Sequence, residues 1–127
     1  MNELDIKYFT PSEAAKTLPL VKNITSDIME CGTKIRDLAD ILGEDARDHE
    51  SVRKLVKEID GFISELKEIG CYYKDWNFTV GLVDFPSIIE GDDVFLCWRT
   101  DEESIMYYHK INEGYAGRKL IPPEYMD

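Results

Sequence analysis

The sequence predicts an α+β fold: an antiparallel helical hairpin, with a short preceding N-terminal helix, packed on a small antiparallel β-sheet of about three strands. Three observations predict it. Apolar residues recur at helical spacing between Val21 and Ile69; after Gly70 the composition turns to β-branched and aromatic residues in short runs; and Glu90-Gly91-Asp92-Asp93 separates the two clearest of those runs. A chain of 127 residues with 43% apolar content buries a core without staples, so residues 1–127 read as one domain. Within it, residues 11–70 form the helical hairpin region and residues 71–127 the sheet and C-terminal tail.

Thr10-Pro11-Ser12-Glu13 is a helix start, because threonine caps, proline suits the first helical position and glutamate completes a capping box. Pro19 lacks the amide that a continuing helix uses, so a break is expected near Leu18, giving a short helix and then a long one. From there Val21, Ile24, Ile28, Cys31, Ile35, Leu38 and Leu42 alternate steps of three and four, the spacing of a coiled-coil seam. Gly43 ends the run, and residues 43–50 read as a polar loop in which His49 is exposed. The second helix carries Val52, Leu55, Val56, Ile59, Phe62, Ile63, Leu66 and Ile69 on one stripe and stops at Gly70. A lone hairpin of two helices of about 20–24 residues cannot cover both stripes. Either the sheet covers them or a second copy does, and the seam favours a homodimer.

Strands are expected over Val80 to Ile89 and Val94 to Thr100. With Gly91 and Asp92 as the hairpin loop, Asp84 faces Arg99 and Phe85 faces Trp98; Pro86 implies an edge or a bulge. Residues 105–110 read as a third strand, with a short helix capped by Thr100 and Glu103 as the alternative. Gly114-Tyr115-Ala116-Gly117-Arg118 reads as a tight loop.

Twenty-six acids against fifteen bases give a formal charge of -11, a field that repels nucleic acid and anionic membranes, so neither is an expected partner. The start MNELDIKYF lacks the pattern of a signal peptide, and no apolar run is long enough to span a bilayer. Cys31, Cys71 and Cys97 are odd in number and include no Cys-x-x-Cys pair, which suits free thiols in a reducing cytoplasm.

The chain resembles a bacterial and archaeal family catalogued as domain of unknown function 2203. The likeness spans nearly the whole chain. It rests on Tyr8-Phe9-Thr10 with Leu18-Pro19-Leu20-Val21, on Gly81-Leu82-Val83-Asp84-Phe85-Pro86, on Leu96-Cys97-Trp98-Arg99 with Glu102, and on His109 followed by Gly114-Tyr115-Ala116-Gly117-Arg118. Members often carry Gly-Glu where this chain has Asp101-Glu102, so a different turn is expected there. The resemblance implies a helical hairpin plus a sheet and brings no established activity.

Two readings of the site follow. In the first, Asp84, Arg99, His109 and Arg118 form a ligand or partner contact on a non-enzymatic cytoplasmic module that self-associates or binds a protein partner. About half of the aromatic residues then serve as core, with Trp76, Tyr108 and Tyr115 the most exposed. The alternative is a metal- or small-molecule-dependent enzyme. Asp84, Cys97, Glu102 and His109 offer carboxylate, thiolate and imidazole, a donor set suited to zinc or another divalent first-row metal, and Arg118 supplies a fork of donors for an anion. Strand parity separates the two: an odd-numbered loop before the last strand puts Cys97 and His109 on one face, an even one puts His109 with Leu96 and Trp98. In the bland arrangement Asp84 pairs with Arg99, Cys97 is a small buried residue and His109 ends the aromatic layer.

Overall fold

The structure, a computed structural model, describes residues 6–75 and 77–126. Helix α1 (Pro11–Leu42) starts where expected: Thr10 Oγ1 accepts the Glu13 N–H at 3.1 Å and Glu13 Oε1 accepts the Thr10 N–H at 2.9 Å, so both halves of the capping box form. The expected break at Pro19 does not occur, and α1 is one helix of 32 residues. Pro19 and Ala15, whose carbonyl loses its donor, are both exposed, so solvent can satisfy that carbonyl while buried Leu18 and Val21 hold the helix on its other side. Pro19→Ala restores that donor but loosens the unfolded chain. A helix-interior proline costs about 3 kcal/mol and its unfolded-state benefit is about 1, so a net stabilisation of about 2 kcal/mol is expected in urea unfolding. An unchanged midpoint would mean that the helix is adapted to the ring.

Gly43 caps α1, and the expected polar loop winds into a 3-10 turn, Gly43–Asp48. Helix α2 (Glu50–Ile69) follows, with exposed His49 as its cap: the ring Nδ1 accepts the Ser51 N–H at 3.2 Å. Val52, Ile59 and Leu66 are buried and Gly70 closes the helix in the left-handed region. The two helices pack together, with Cys31 Sγ donating to Glu58 Oε2 at 3.6 Å.

The sheet has five strands rather than about three: β1 (Tyr72–Tyr73), β2 (Leu82–Ile89), β3 (Asp92–Arg99), β4 (Tyr107–Lys110) and β5 (Lys119–Leu120), each antiparallel to the next and adjacent in that order. The additional strands are two-residue edges, too short to carry an alternating pattern. Of residues 105–110, Tyr107–Lys110 form β4, so the strand reading holds for that part.

The β2–β3 loop is Glu90-Gly91, not Gly91-Asp92, because Ile89 pairs with Asp92. Both loop residues have positive φ, 54° and 81°, as the preferred two-residue hairpin turn requires. The register therefore moves by two: Asp84 faces Cys97, Phe85 faces Leu96, and Arg99 faces Leu82. An even shift keeps every side chain on its expected face. Pro86 lies beyond the end of β1, and its carbonyl accepts the Phe9 N–H at 2.8 Å, so its missing amide points to the outer side where no ladder bond is lost.

One sheet face packs on the helices. Val21, Ile28 and Leu66 meet Val83, Phe85, Leu96 and Trp98 in a single buried cluster. Ile24 and Cys31 join it, so the seam positions Val21 to Cys31 are filled from within the chain. Of the aromatic residues, Tyr73, Phe85 and Trp98 are buried, Tyr108 is half-buried against the core, Tyr115 is exposed, and Trp76 lies outside the described residues. Among the described residues no helix is long and apolar enough to cross a membrane. The other face carries Asp84 on β2, Phe95, Cys97 and Arg99 on β3, and Tyr107 and His109 on β4.

Candidate metal centre

Strand alternation and register bring three chemically active side chains together. Asp84 lies directly opposite Cys97 across β2 and β3, and His109 lies opposite Phe95 across β3 and β4, one step diagonally from Cys97. The loop 100–106 is odd in length, so the parity that puts Cys97 and His109 on one face is the one realised. A carboxylate oxygen of Asp84, Cys97 Sγ and a ring nitrogen of His109 all lie within 4.8 Å of one another. All three residues are buried, although their face is turned away from the helices.

The cover comes from the C-terminal segment. Arg118 runs back over the sheet edge with its guanidinium 4.1 Å from the Tyr107 ring centroid and 4.8 Å from that of Tyr115. Its Nη2 donates to both carboxylate oxygens of Glu102, at 2.7 and 2.8 Å, and to the Cys97 carbonyl at 3.1 Å. Glu102 in turn accepts the Arg99 N–H at 2.8 Å, and its carbonyl accepts Trp98 Nε1–H at 2.9 Å. Glu102 is thus committed to Arg118 and the turn, and it stands outside the group of three donors.

Asp84 does not pair with Arg99. Arg99 takes Asp101 at 2.6 Å and the Tyr115 hydroxyl, whereas Asp84 Oδ2 faces His109 Nε2 at 3.2 Å. The register explains the exchange, since the hairpin turn sits two residues from the expected ladder and puts Cys97, not Arg99, across from Asp84.

His109 is held at both ring nitrogens: Nδ1 lies 2.9 Å from the Lys110 carbonyl and Nε2 faces the Asp84 carboxylate. The Lys110 carbonyl can only accept, so Nδ1 donates to it, and Nε2 shares a hydrogen bond with the Asp84 carboxyl group. The Asp84 hydrogen bond raises the His109 pKa, with burial opposing it and the Lys110 carbonyl reinforcing it. A divalent ion can take the proton's place in that hydrogen bond, and the Nδ1–H to carbonyl bond then serves as the orienting contact that metal-binding histidines usually have. Burial, aided by the Asp84 carboxylate, pushes the Cys97 thiol up to about 12, so it is a neutral thiol and a poor nucleophile, and a bound metal would favour its thiolate.

A cavity of about 320 Å³ opens onto these three residues and is lined further by Lys74, Glu113 and Tyr115. One thiolate, one carboxylate and one imidazole would make a net-neutral set with a divalent ion, and three protein donors would leave a fourth position for a further ligand. Donors around zinc stand about 3.3–3.7 Å apart, and Asp84 Oδ2 and His109 Nε2, 3.2 Å apart, already stand near that spacing.

Fold and site together define an α+β protein with a candidate three-donor metal centre on the outer face of its sheet. The chain belongs to the family described as "Uncharacterized conserved protein (DUF2203)", whose model matches residues 7–121. No curated protein and no solved structure matches the chain.

Of the residues singled out from sequence, Asp84, Cys97 and His109 meet at the cavity. Arg99, Glu102 and Arg118 are not among its lining residues: Arg118 pairs with Glu102, and Arg99 with Asp101. Lys74 and Glu113 were missed. Lys74 follows a two-residue strand that has no periodicity to reveal it, while Glu113 carried a usable signal: its position four residues after His109, at the turn leaving β4.

Proposed function

We propose that this protein binds a divalent metal of the zinc type through Asp84, Cys97 and His109 and uses the fourth coordination position to engage a small molecule in the adjoining cavity. The observation that carries this reading is the convergence of carboxylate, thiol and imidazole donors within 4.8 Å, buried, on one cavity wall. Such a metal supplies Lewis-acid activation of a bound oxygen. The chain contributes the donors, the Lys110 carbonyl that fixes the imidazole, and the Arg118–Glu102 pair that braces the Cys97 strand. Free, buried thiols suit a reducing cytoplasmic setting for this role.

Self-association through α1 has less support, because Ile28 is fully buried and Cys31 nearly so within the chain's own core. Elemental analysis of untagged protein, purified without chelator, tests the metal reading. One equivalent of zinc or another first-row metal that is absent from both Cys97→Ser and His109→Ala is the expected result. A folded protein that takes up no metal even after incubation with zinc would dismiss the reading.

A further inference from the structure

The contact that aims His109 at the metal position is a backbone carbonyl, and the turn after β4 holds that carbonyl. Lys110 is the last residue of β4, and the chain leaves the sheet from there to Glu113. The Lys110 carbonyl accepts His109 Nδ1–H at 2.9 Å and the Glu113 N–H at 3.0 Å, so both of its lone pairs are used. The Lys110 N–H in turn donates to Glu113 Oε1 at 3.2 Å. Glu113 therefore answers the peptide groups on both sides of Lys110, one with its main chain and one with its carboxylate. Lys110, Ile111 and Asn112 are exposed, so these hydrogen bonds rather than core packing set the shape of the turn.

Glu113 is itself held in place. Beside it lies Gly117, where an added Cβ would stand 2.8 Å from Glu113 Cβ and 2.9 Å from its Cδ. Carbon atoms pack at about 3.5–4.0 Å, so glycine is what leaves room for the Glu113 side chain against the 115–117 turn. Half-buried Glu113 lines the metal cavity but stands outside the group of three donors.

We infer that Glu113 is a positioning residue for His109: its carboxylate clamps the turn that presents the Lys110 carbonyl, and that carbonyl fixes the ring with Nε2 toward Asp84. The inference rests on the metal reading and names the side chain that tunes the centre from outside it. Contacts that orient a metal-binding imidazole are worth about ten- to a hundredfold in metal affinity. What the turn requires of residue 113 is an acceptor at Oε1, which glutamine also supplies.

Zinc titrations of the full-length protein test this with Glu113→Ala, Glu113→Gln and Gly117→Ala. Glu113→Ala should weaken zinc about tenfold. Gly117→Ala keeps every donor and acceptor but displaces Glu113, and it should weaken zinc as well. Glu113→Gln should bind zinc as the native protein does. Glutamine as weak as alanine would make residue 113 a ligand or a counter-charge, and native affinity in Glu113→Ala would leave it no part in the centre; either result overturns the inference. In metal-free protein the His109 Nδ1–H resonance, slowed in exchange by its carbonyl bond, should persist in Glu113→Gln and broaden in Glu113→Ala. Native protein that takes up no zinc would remove the metal reading, and a resonance that survives Glu113→Ala would separately overturn the positioning role.

Discussion

Zinc at a hundredfold excess over its dissociation constant is expected to stabilise the protein by about 2.7 kcal/mol, raising the thermal midpoint by roughly 10 °C, and this increment should vanish in Asp84→Asn, Cys97→Ser and His109→Gln. The comparison is between the same protein with and without zinc, because each substitution also disturbs a buried group and lowers the metal-free midpoint. Asp84, Cys97 and His109 are respectively 4%, 1% and 5% exposed, so none is a surface donor that water could replace. Calorimetric scans of the four proteins check the prediction. A zinc increment that survives Cys97→Ser would place the ion elsewhere.

The pH dependence has opposite signs in the two states. The His109 pKa is raised by its bond to Asp84, so in metal-free protein the charged pair contributes stability that is complete below the ordinary histidine value of about 6.5 and is lost as pH rises through the elevated folded value. Zinc competes with that same proton and with the thiol proton of Cys97, so the zinc increment should grow over the same rise in pH. Midpoints measured with and without zinc from about pH 6 to about pH 8.5 should diverge steadily.

The second large effect is at Glu102. Its carboxylate is the counter-charge of a guanidinium that is 90% shielded between two tyrosines, the side chains of Arg118 and Glu102 being 10% and 18% exposed. Glu102→Ala leaves a buried cation without its partner, and a loss of about 3 kcal/mol is expected in urea unfolding. Removing both charges with Glu102→Ala and Arg118→Met together should recover a large part of that loss, because the single change costs mainly through the orphaned charge. Arg99 and Asp101 form a more exposed pair, and Asp101→Ala should change stability little by comparison. A double variant as unstable as the single one would mean that Glu102 acts through its bond to the Arg99 amide rather than through Arg118.

Much of this architecture was legible in the order of residues, and the parts that were not have specific causes. The capping box at Thr10, the stripe from Val52 to Ile69 and the glycine stops at Gly43 and Gly70 are local signals, and local geometry honours them. Pro19 does not break α1 because its cost depends on which way the lost hydrogen bond faces, a property of the assembled fold. The hairpin register turned on whether Glu90 would accept a positive φ, which a non-glycine residue does only when the strands on both sides demand it. The two-residue strands β1 and β5 had no pattern to read.

At the site, sequence supplied the donors and the parity condition but not the parity itself. An odd loop, 100–106, decides that His109 joins Cys97, and that single fact turns scattered polar residues into a cluster. Glu102 offers a carboxylate donor by residue type, as Asp84 does; its partner Arg118 is 16 residues further on and becomes visible only when the tail folds back.

The most direct test of the metal centre is the absorption spectrum of cobalt-substituted protein. The account predicts one equivalent of cobalt with an intense thiolate-to-cobalt charge-transfer band and visible bands of a four-coordinate ion, the charge-transfer band disappearing in Cys97→Ser. Cobalt that binds without a thiolate band, or a spectrum unchanged by Cys97→Ser, would contradict it.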